Sequence, residues 1–339
     1  MLSFVAPDRK NVTGCYSPLS SFIVLLFIPF IFCASSVSIF AQTDVSTDDV
    51  VRVRTDLVTV PAFVWDTKGR RVSGLTQADF ALRDNGQTVA LSYFAAGTEH
   101  VALAFALDTS GSIREVIAQQ REAALSLFSR FGHGSRVAVL HFGERAALTI
   151  PFTDDRELAQ SAFSLHTSLN RRTAIFDAAA TAIQAFKVAG GNLAERRILI
   201  LISDGLDTSS VSRAADVIRE ARDGGVSIYV IHLPLYMPRD GQLVPRPASS
   251  GFRALAEKTG GRYFMVGDAK SALSQQATPD LAPIFQAIEE DLHGQYVLGF
   301  YPDDAARQTS LHRIEINLTS RVGRKLRVQP LREEYNLRQ

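Results

Sequence analysis

The order of apolar and polar positions divides the chain into three stretches. From Val51 the two kinds of residue alternate through Val53 and Thr55, Leu57 to Trp65, Ala81 to Arg83 and Val89 to Phe94. A period of two predicts short, half-buried strands. Turn-forming residues separate them at Asp66-Thr67-Lys68-Gly69 and Asp84-Asn85-Gly86. Between these, Thr76-Gln77-Ala78-Asp79-Phe80 predicts one helical turn capped by Thr76.

In the middle stretch continuous apolar runs alternate with helical-period segments. Val101 to Leu107 is apolar throughout and ends in Asp108, the pattern of a strand buried on both faces. Further strands are predicted at Arg136–Phe142, Ile198–Ile202, Val226–Leu233 and Tyr263–Val266, with an edge strand at Ala146–Phe152. Helices are predicted at 113–131, stopped by Gly132, and at 154–167, 174–188, 212–223, 252–259 and 279–293. The helix from Ala174 is apolar almost all round, which predicts burial, and Thr173 is placed to cap it. Past Gly294 alternation returns in Gln295–Tyr301, Leu311–Leu318 and Lys325–Val328.

Strands separated by helices predict an α/β domain, a doubly wound and mostly parallel six-stranded sheet, over residues 98–294. Three terminal strands make a poor independent unit. The expectation is therefore that segments 51–97 and 295–339 pair in a small β-sandwich into which the α/β domain is inserted; two separate β appendages are the alternative.

Composition adds compartment. The 339 residues carry a formal net charge of +1, and the segment before residue 42 (Asp8, Arg9, Lys10) accounts for it. Bulk charge thus gives no pull toward nucleic acid. Arg9 and Lys10 precede an apolar run from Phe22 to Phe32 and the sequence Ile39-Phe40-Ala41-Gln42, the form of a signal peptide cleaved after Ala41. An uncleaved anchor over residues 22–41 is the alternative, since a bilayer takes ~20 residues to span. Either way an exported protein is expected, periplasmic or secreted, with a polar leader at 42–50. Cys15 and Cys33 are the only cysteines and both precede Ala41, so the remainder has no disulfide or thiolate metal site.

The chemistry gathers around Asp108-Thr109-Ser110-Gly111-Ser112. In the usual order of a doubly wound sheet, 3-2-1-4-5-6, the strand ending at Asp108 lies beside the one ending at Asp204, at the switch point where such sheets bind ligands. The loop before the buried helix brings Thr173 to the same edge. Asp108, Ser110, Ser112, Thr173 and Asp204 supply two carboxylates and three hydroxyls, hard donors suited to an octahedral divalent cation. Taken alone, Asp-x-Ser-x-Ser could merely cap a helix. A phosphotransfer motif would need an aspartate where Ser110 stands, and no nucleophile elbow, zinc-protease helix or glycine-rich phosphate loop is present, so no enzyme is indicated. His141 and His232 fall in predicted strands and are expected to be packed residues rather than ligands.

Asp108-Thr109-Ser110-Gly111-Ser112, Thr173 and Asp204-Gly205 resemble the metal-ion-dependent adhesion site of von Willebrand factor type A domains, a Rossmann-like fold. Val72-Ser73-Gly74-Leu75-Thr76 with Asp79-Phe80, and Tyr296-Val297-Leu298-Gly299-Phe300-Tyr301, resemble an exported subgroup described from Acidobacteria. The resemblance implies a non-enzymatic binding module. Its cation would be Mg2+, with Mn2+ or Ca2+ compatible, touched directly by the two serines and the threonine, the aspartates often acting through water. The partner would be a protein presenting an Asp or Glu, with no nucleic acid and no small-molecule substrate; a membrane enters only if residues 22–41 stay attached. An envelope or assembly protein with an inert type A domain is the alternative. The family often has Gly-Gly before the threonine, where this chain has Arg171-Arg172. These arginines, with Tyr236 and Arg239 in the long segment 234–250, are candidate partner contacts, the segment being either functional or a mobile decoration.

Overall fold

The computed structural model describes residues 57–97, 100–109, 121–131, 134–163, 172–190, 195–269, 279–303, 311–319 and 325–336. The signal segment, the leader, Ser110, Ser112 and Arg171 lie outside the described residues. Those described fall within one compact unit, Val53–Gln339.

Its centre is the six-stranded sheet. In chain order the strands are β5 (Val101–Asp108), β6 (Arg136–Phe142), β7 (Ala146–Thr153), β8 (Arg196–Ser203), β9 (Val226–His232) and β12 (Tyr263–Met265), and they lie side by side as β12-β9-β8-β5-β6-β7. This is the expected 3-2-1-4-5-6 order. Only the edge strand β7 runs antiparallel, and its register on β6 is irregular.

Central β5 explains the layers. Successive side chains alternate between faces, so Val101, Leu103, Phe105 and Leu107 enter one core with helices α1 (Arg121–Ser129) and α6 (Ala282–His293). Ala102, Ala104 and Ala106 face the other, against α3 (Ile175–Val188), α4 (Ala214–Asp223) and α5 (Phe252–Glu257). Small residues on that face meet Ala178, Ala179 and Ala182 of α3, so helix and sheet approach closely. The apolar pattern of α3 predicts burial, and one broad face is buried, with Ile175, Phe176, Ile183 and Phe186 in the core, while Gln184, Lys187 and Val188 are exposed. A short helix, α2 (Arg156–Ser161), follows β7; Asp155 caps it by accepting from the amides of Glu157 and Leu158.

Segments from both ends of the chain build two antiparallel sheets. One has the order β15-β1-β13-β4, with β1 Val58–Trp65, β4 Tyr93–Ala96, β13 Gln295–Phe300 and β15 Arg327–Pro330. The other is β16-β14-β2-β3, with β2 Phe80–Asp84, β3 Gln87–Val89, β14 Leu311–Leu318 and β16 Glu334–Asn336. Val58, Val60, Ala62 and Val64 of β1 share a core with Phe80, Leu82, Ile314, Ile316 and Tyr335 of the second sheet. Each sheet therefore takes strands from both sides of the α/β region, as the insertion topology requires.

Two local expectations change. Val89–Phe94 is not one strand: β3 ends at Val89 and β4 begins at Tyr93 in the other sheet, the chain crossing between sheets over Ala90-Leu91-Ser92. The turn at Thr76 is a 3-10 turn, Gln77–Asp79, in which the Asp79 carboxylate accepts from both the Thr76 amide and hydroxyl at 2.8 Å. Asp79 thus does the capping. β16 has no counterpart among the predicted strands; Tyr335 secures it by donating to Asp84 Oδ2 at 2.7 Å, beside His312, whose Nδ1 lies 3.0 Å from Asp84 Oδ1.

The other face of β1 meets the N-terminal ends of the parallel strands. A side-chain carbon on Gly260 would stand 2.1 Å from the Phe63 ring, and one on Gly261 would stand 1.9 Å from the Ile228 carbonyl. Glycine here is a condition of contact between the β1 sheet and the α/β region. Beside it Arg71 lies between the rings of Phe63 and Trp65, at 3.8 and 3.6 Å, and donates from Nε to Asp291 Oδ1 of α6 at 3.0 Å. Tyr229 of β9 donates to Asp291 Oδ2 at 2.7 Å. The β-sandwich therefore grips the sheet at the end opposite to Asp108.

Candidate metal centre

Asp108 closes β5 and is fully buried. Ile202 pairs with Leu107, which sets Ser203 opposite Asp108, and the Ser203 hydroxyl donates to Asp108 Oδ2 at 2.7 Å. The same Ser203 oxygen accepts from the Gly205 amide at 3.2 Å. A single hydroxyl therefore ties Asp108 to the Asp204-Gly205 turn. Gly205 has φ +80°, and a side-chain carbon there would come within 2.9–3.0 Å of Ala248, His232 and Phe252, so only glycine fits.

Asp204 is 7% exposed. Its Oδ1 accepts from the Leu206 amide at 2.9 Å. Burial, the largest influence, pushes its carboxyl above the ordinary range, only partly offset by that amide and by the charges of His232 and Arg246. Among the described residues no Lys or Arg forms an ion pair with it. A desolvated carboxylate lacking an ion-pair partner is what a bound cation would stabilise.

Thr173 reaches this edge because its backbone is stitched to the loop after Asp204. Its amide donates to Thr208 Oγ1 at 2.8 Å, and its carbonyl accepts from the Thr208 amide at 2.8 Å. The expectation that Thr173 caps α3 is corrected here. Asp207 Oδ1 takes the Ile175 amide at 2.7 Å, and Ser210 Oγ takes those of Phe176 and Asp177 at 3.0 and 3.2 Å. Capping from a second loop relieves Thr173 of that task and leaves its hydroxyl available as a ligand. Asp177 in turn accepts from the amides of Val211 and Ser212, closing the loop onto the helix.

Asp108, Thr173 and Asp204 thus come to the carboxyl edge of β5 and β8; Ser110 and Ser112 lie outside the described residues. The donor chemistry fits a hard divalent ion. Among the described residues no group of three or more His, Cys, Asp or Glu offers an alternative metal site. His232 is a packed residue, as expected: buried, its Nε2 lies 2.8 Å from the Asp204 carbonyl and its Nδ1 contacts Tyr263 Oη. Burial pushes its imidazole below the usual range. His141 is likewise spent on the Ala162 carbonyl.

The candidate partner contacts are placed as follows. Arg172 is exposed and paired with Glu144, Nη1 to Oε1 at 3.2 Å. Segment 234–250 is a hairpin rather than a structureless loop: β10 (Tyr236–Arg239) pairs with β11 (Gln242–Pro245). Asp240 and Gly241, both at positive φ, make its tight turn. Pro238 and Pro245 had masked the strands in the sequence. Tyr236 donates to the Gly267 carbonyl at 2.9 Å, so its hydroxyl anchors the hairpin, while Arg239 is exposed beside Asp240. Behind the hairpin Ser249 holds the loop after Asp204, its amide donating to the Gly205 carbonyl at 2.8 Å and its hydroxyl accepting from the Asp207 amide at 2.8 Å. Ser203, Asp207, Thr208, Ser210 and Ser249 were missed by sequence reasoning; the run Asp207-Thr208-Ser209-Ser210, dense in capping residues, was the available signal.

A doubly wound sheet with carboxylates and a hydroxyl gathered at its switch point defines a class of α/β domain. The model of the von Willebrand factor type A domain matches residues 102–278, and the chain belongs to that family. No curated protein matches its sequence. Similar solved structures include an aerotolerance-related membrane protein from Bacteroides fragilis, 19% identical over 57% of this chain and 98% of that one, TM-score 0.43. Another is a von Willebrand factor type A protein from Catenulispora acidiphila, 15% identical over 76% and 72%, TM-score 0.45. A third is proximal thread matrix protein 1 of the mussel byssus with a zinc-occupied metal-ion-dependent adhesion motif, 17% identical over 60% and 48%, TM-score 0.45.

Proposed function

We propose that the protein is an exported, cation-dependent protein-binding module. Asp108, Ser110, Ser112, Thr173 and Asp204 would hold one divalent cation, Mg2+ in the first place, and a glutamate or aspartate of a partner protein would complete its coordination. The observation that carries this reading is the relief of Thr173 from capping, together with the desolvated Asp204 carboxylate on the same edge. With one of the two carboxylates acting only through water, three neutral hydroxyls and the other carboxylate would leave a divalent cation under-neutralised, with affinity for one more anionic oxygen.

The surroundings support a binding role. Because the β-sandwich grips the opposite end of the sheet, it does not itself cover the carboxyl edge. The hairpin at Tyr236–Pro245 and Arg172 border that edge and supply polar and cationic contacts for an acidic segment. The flanking sequences around Val72 and Tyr296 support membership of the exported subgroup. Among the described residues no helix is long and apolar enough to cross a membrane; segment 22–41 is the candidate anchor.

Affinity capture from envelope extract tests the proposal. Wild type should retain its partner in Mg2+ and lose it in chelator, and Asp108→Ala should lose it in both. Identical capture under all four conditions would favour the inert envelope-protein reading instead.

A further inference from the structure

At the junction of β-sandwich and sheet, far from the metal centre, a cavity of about 190 Å3 opens between Thr59 and Pro61 of β1, the start of β8, the turn Asp223-Gly224-Gly225 and Arg332. Arg197 is the second residue of β8, and Asp204 lies seven residues on, so the two sites stand about 23 Å apart at ~3.3 Å per strand residue.

Two guanidinium groups line this cavity, and neither pairs with a carboxylate among the described residues. Arg197 donates from Nη1 to the Gly224 carbonyl at 3.0 Å. Arg332 donates from Nη2 to the Thr59 carbonyl at 2.6 Å and from Nη1 to the Asp223 carbonyl at 3.3 Å. Its Nε is buried and has no hydrogen-bond partner. Carbonyls satisfy single N–H groups without supplying a full counter-charge. Two carboxylates also line the cavity and offset part of the charge. Glu195 is engaged by Arg136, its oxygens 2.9 and 2.7 Å from Nε and Nη2, and Asp223 makes no ion pair with Arg332 within 4 Å. Burial holds both Arg197 and Arg332 below the usual guanidinium range, partly offset by Glu195 at Arg197 and by Asp223 at Arg332, with a smaller repulsion from Arg197 at Arg332.

We propose that this cavity binds one small oxyanion, of phosphate or carboxylate chemistry, between Arg197 and Arg332. Forked guanidinium donors match the oxygens of either group. The bound anion neutralises the two charges and joins β8 to the C-terminal segment across the junction, so it stabilises the docked β-sandwich by mass action. This inference stands independently of the cation site.

Titration calorimetry of the full chain, with inorganic phosphate in one arm, acetate in a second and chloride at matched ionic strength as control, tests it. Saturable binding near one anion per chain is expected in at least one of the first two arms, and which arm responds assigns the anion class. Arg332→Gln and Arg197→Gln should each weaken it about tenfold or more, while Arg219→Gln, on the neighbouring groove, should leave it unchanged. Should either junction variant fail to fold, the wild-type titration decides. Absence of saturable binding up to ~20 mM of both anions, or binding unaltered in both junction variants, would overturn the proposal.

Discussion

Asp291→Ala is expected to lower folding stability by about 3–5 kcal/mol, the cost of breaking a buried pair by removing one partner. The variant strands the Arg71 guanidinium, pressed between Phe63 and Trp65 with Nη1 already lacking a partner, and leaves the Tyr229 hydroxyl without its acceptor. Arg71 belongs to the N-terminal β segment, Tyr229 to β9 and Asp291 to α6, so three parts of the fold are loosened together. Arg71→Met with Asp291→Leu, which removes both charges, should recover much of the loss. Urea unfolding monitored by circular dichroism measures both. A cost below about 1 kcal/mol for the single substitution would show that the junction does not depend on this pair.

The second large effect is at the metal centre and has the opposite sign in the absence of metal. An acid whose pKa is raised on folding binds protons more tightly in the folded state. Its ionised form therefore weakens stability as pH rises from the unfolded toward the folded pKa and above. Asp204 is in that position at neutral pH. Asp204→Asn retains an oxygen for the Leu206 amide while removing the desolvated charge, so without metal it should be as stable as wild type or more so. With Mg2+ at about a hundredfold excess over Kd, wild type should gain about 2.7 kcal/mol, roughly 5–10 °C in Tm. The variant should gain almost nothing. Thermal unfolding with and without Mg2+ reads both, and an undiminished Mg2+ shift in the variant would remove Asp204 from the ligand set. Such a trade of stability against binding marks a functional carboxylate better than burial alone.

Much of the architecture is visible along the chain because its signals are local. Val101–Leu107 and Ile198–Ile202 are apolar without interruption, as central parallel strands are, the first followed directly by Asp108 and the second, after Ser203, by Asp204. What is hidden depends on residues far apart. Ser203 is unremarkable until the register of β5 and β8 sets it against Asp108. Thr173 has every appearance of a helix cap until Asp207 and Ser210 arrive from another loop to do that work. Arg71 and Asp291 are 220 positions apart and individually ordinary. The hairpin at Tyr236–Pro245 was obscured because two prolines contradict strand propensity, a conflict tolerable only where both ribbon edges face away from a larger sheet.

On the proposed reading, binding would occur at the end of the sheet opposite to the attachment of the β-sandwich. A partner engaging the carboxyl edge of β5 and β8 meets the metal loop, the hairpin and Arg172 without touching the junction. The arrangement suits a domain that presents its site outward from a fixed base.

Calorimetric titration of Mg2+ or Mn2+ into the full chain tests the central claim most directly. Wild type should bind one cation saturably, and the double variant Asp108→Ala with Ser110→Ala should give no binding heat while remaining folded. Equal heats from the two proteins would contradict the account.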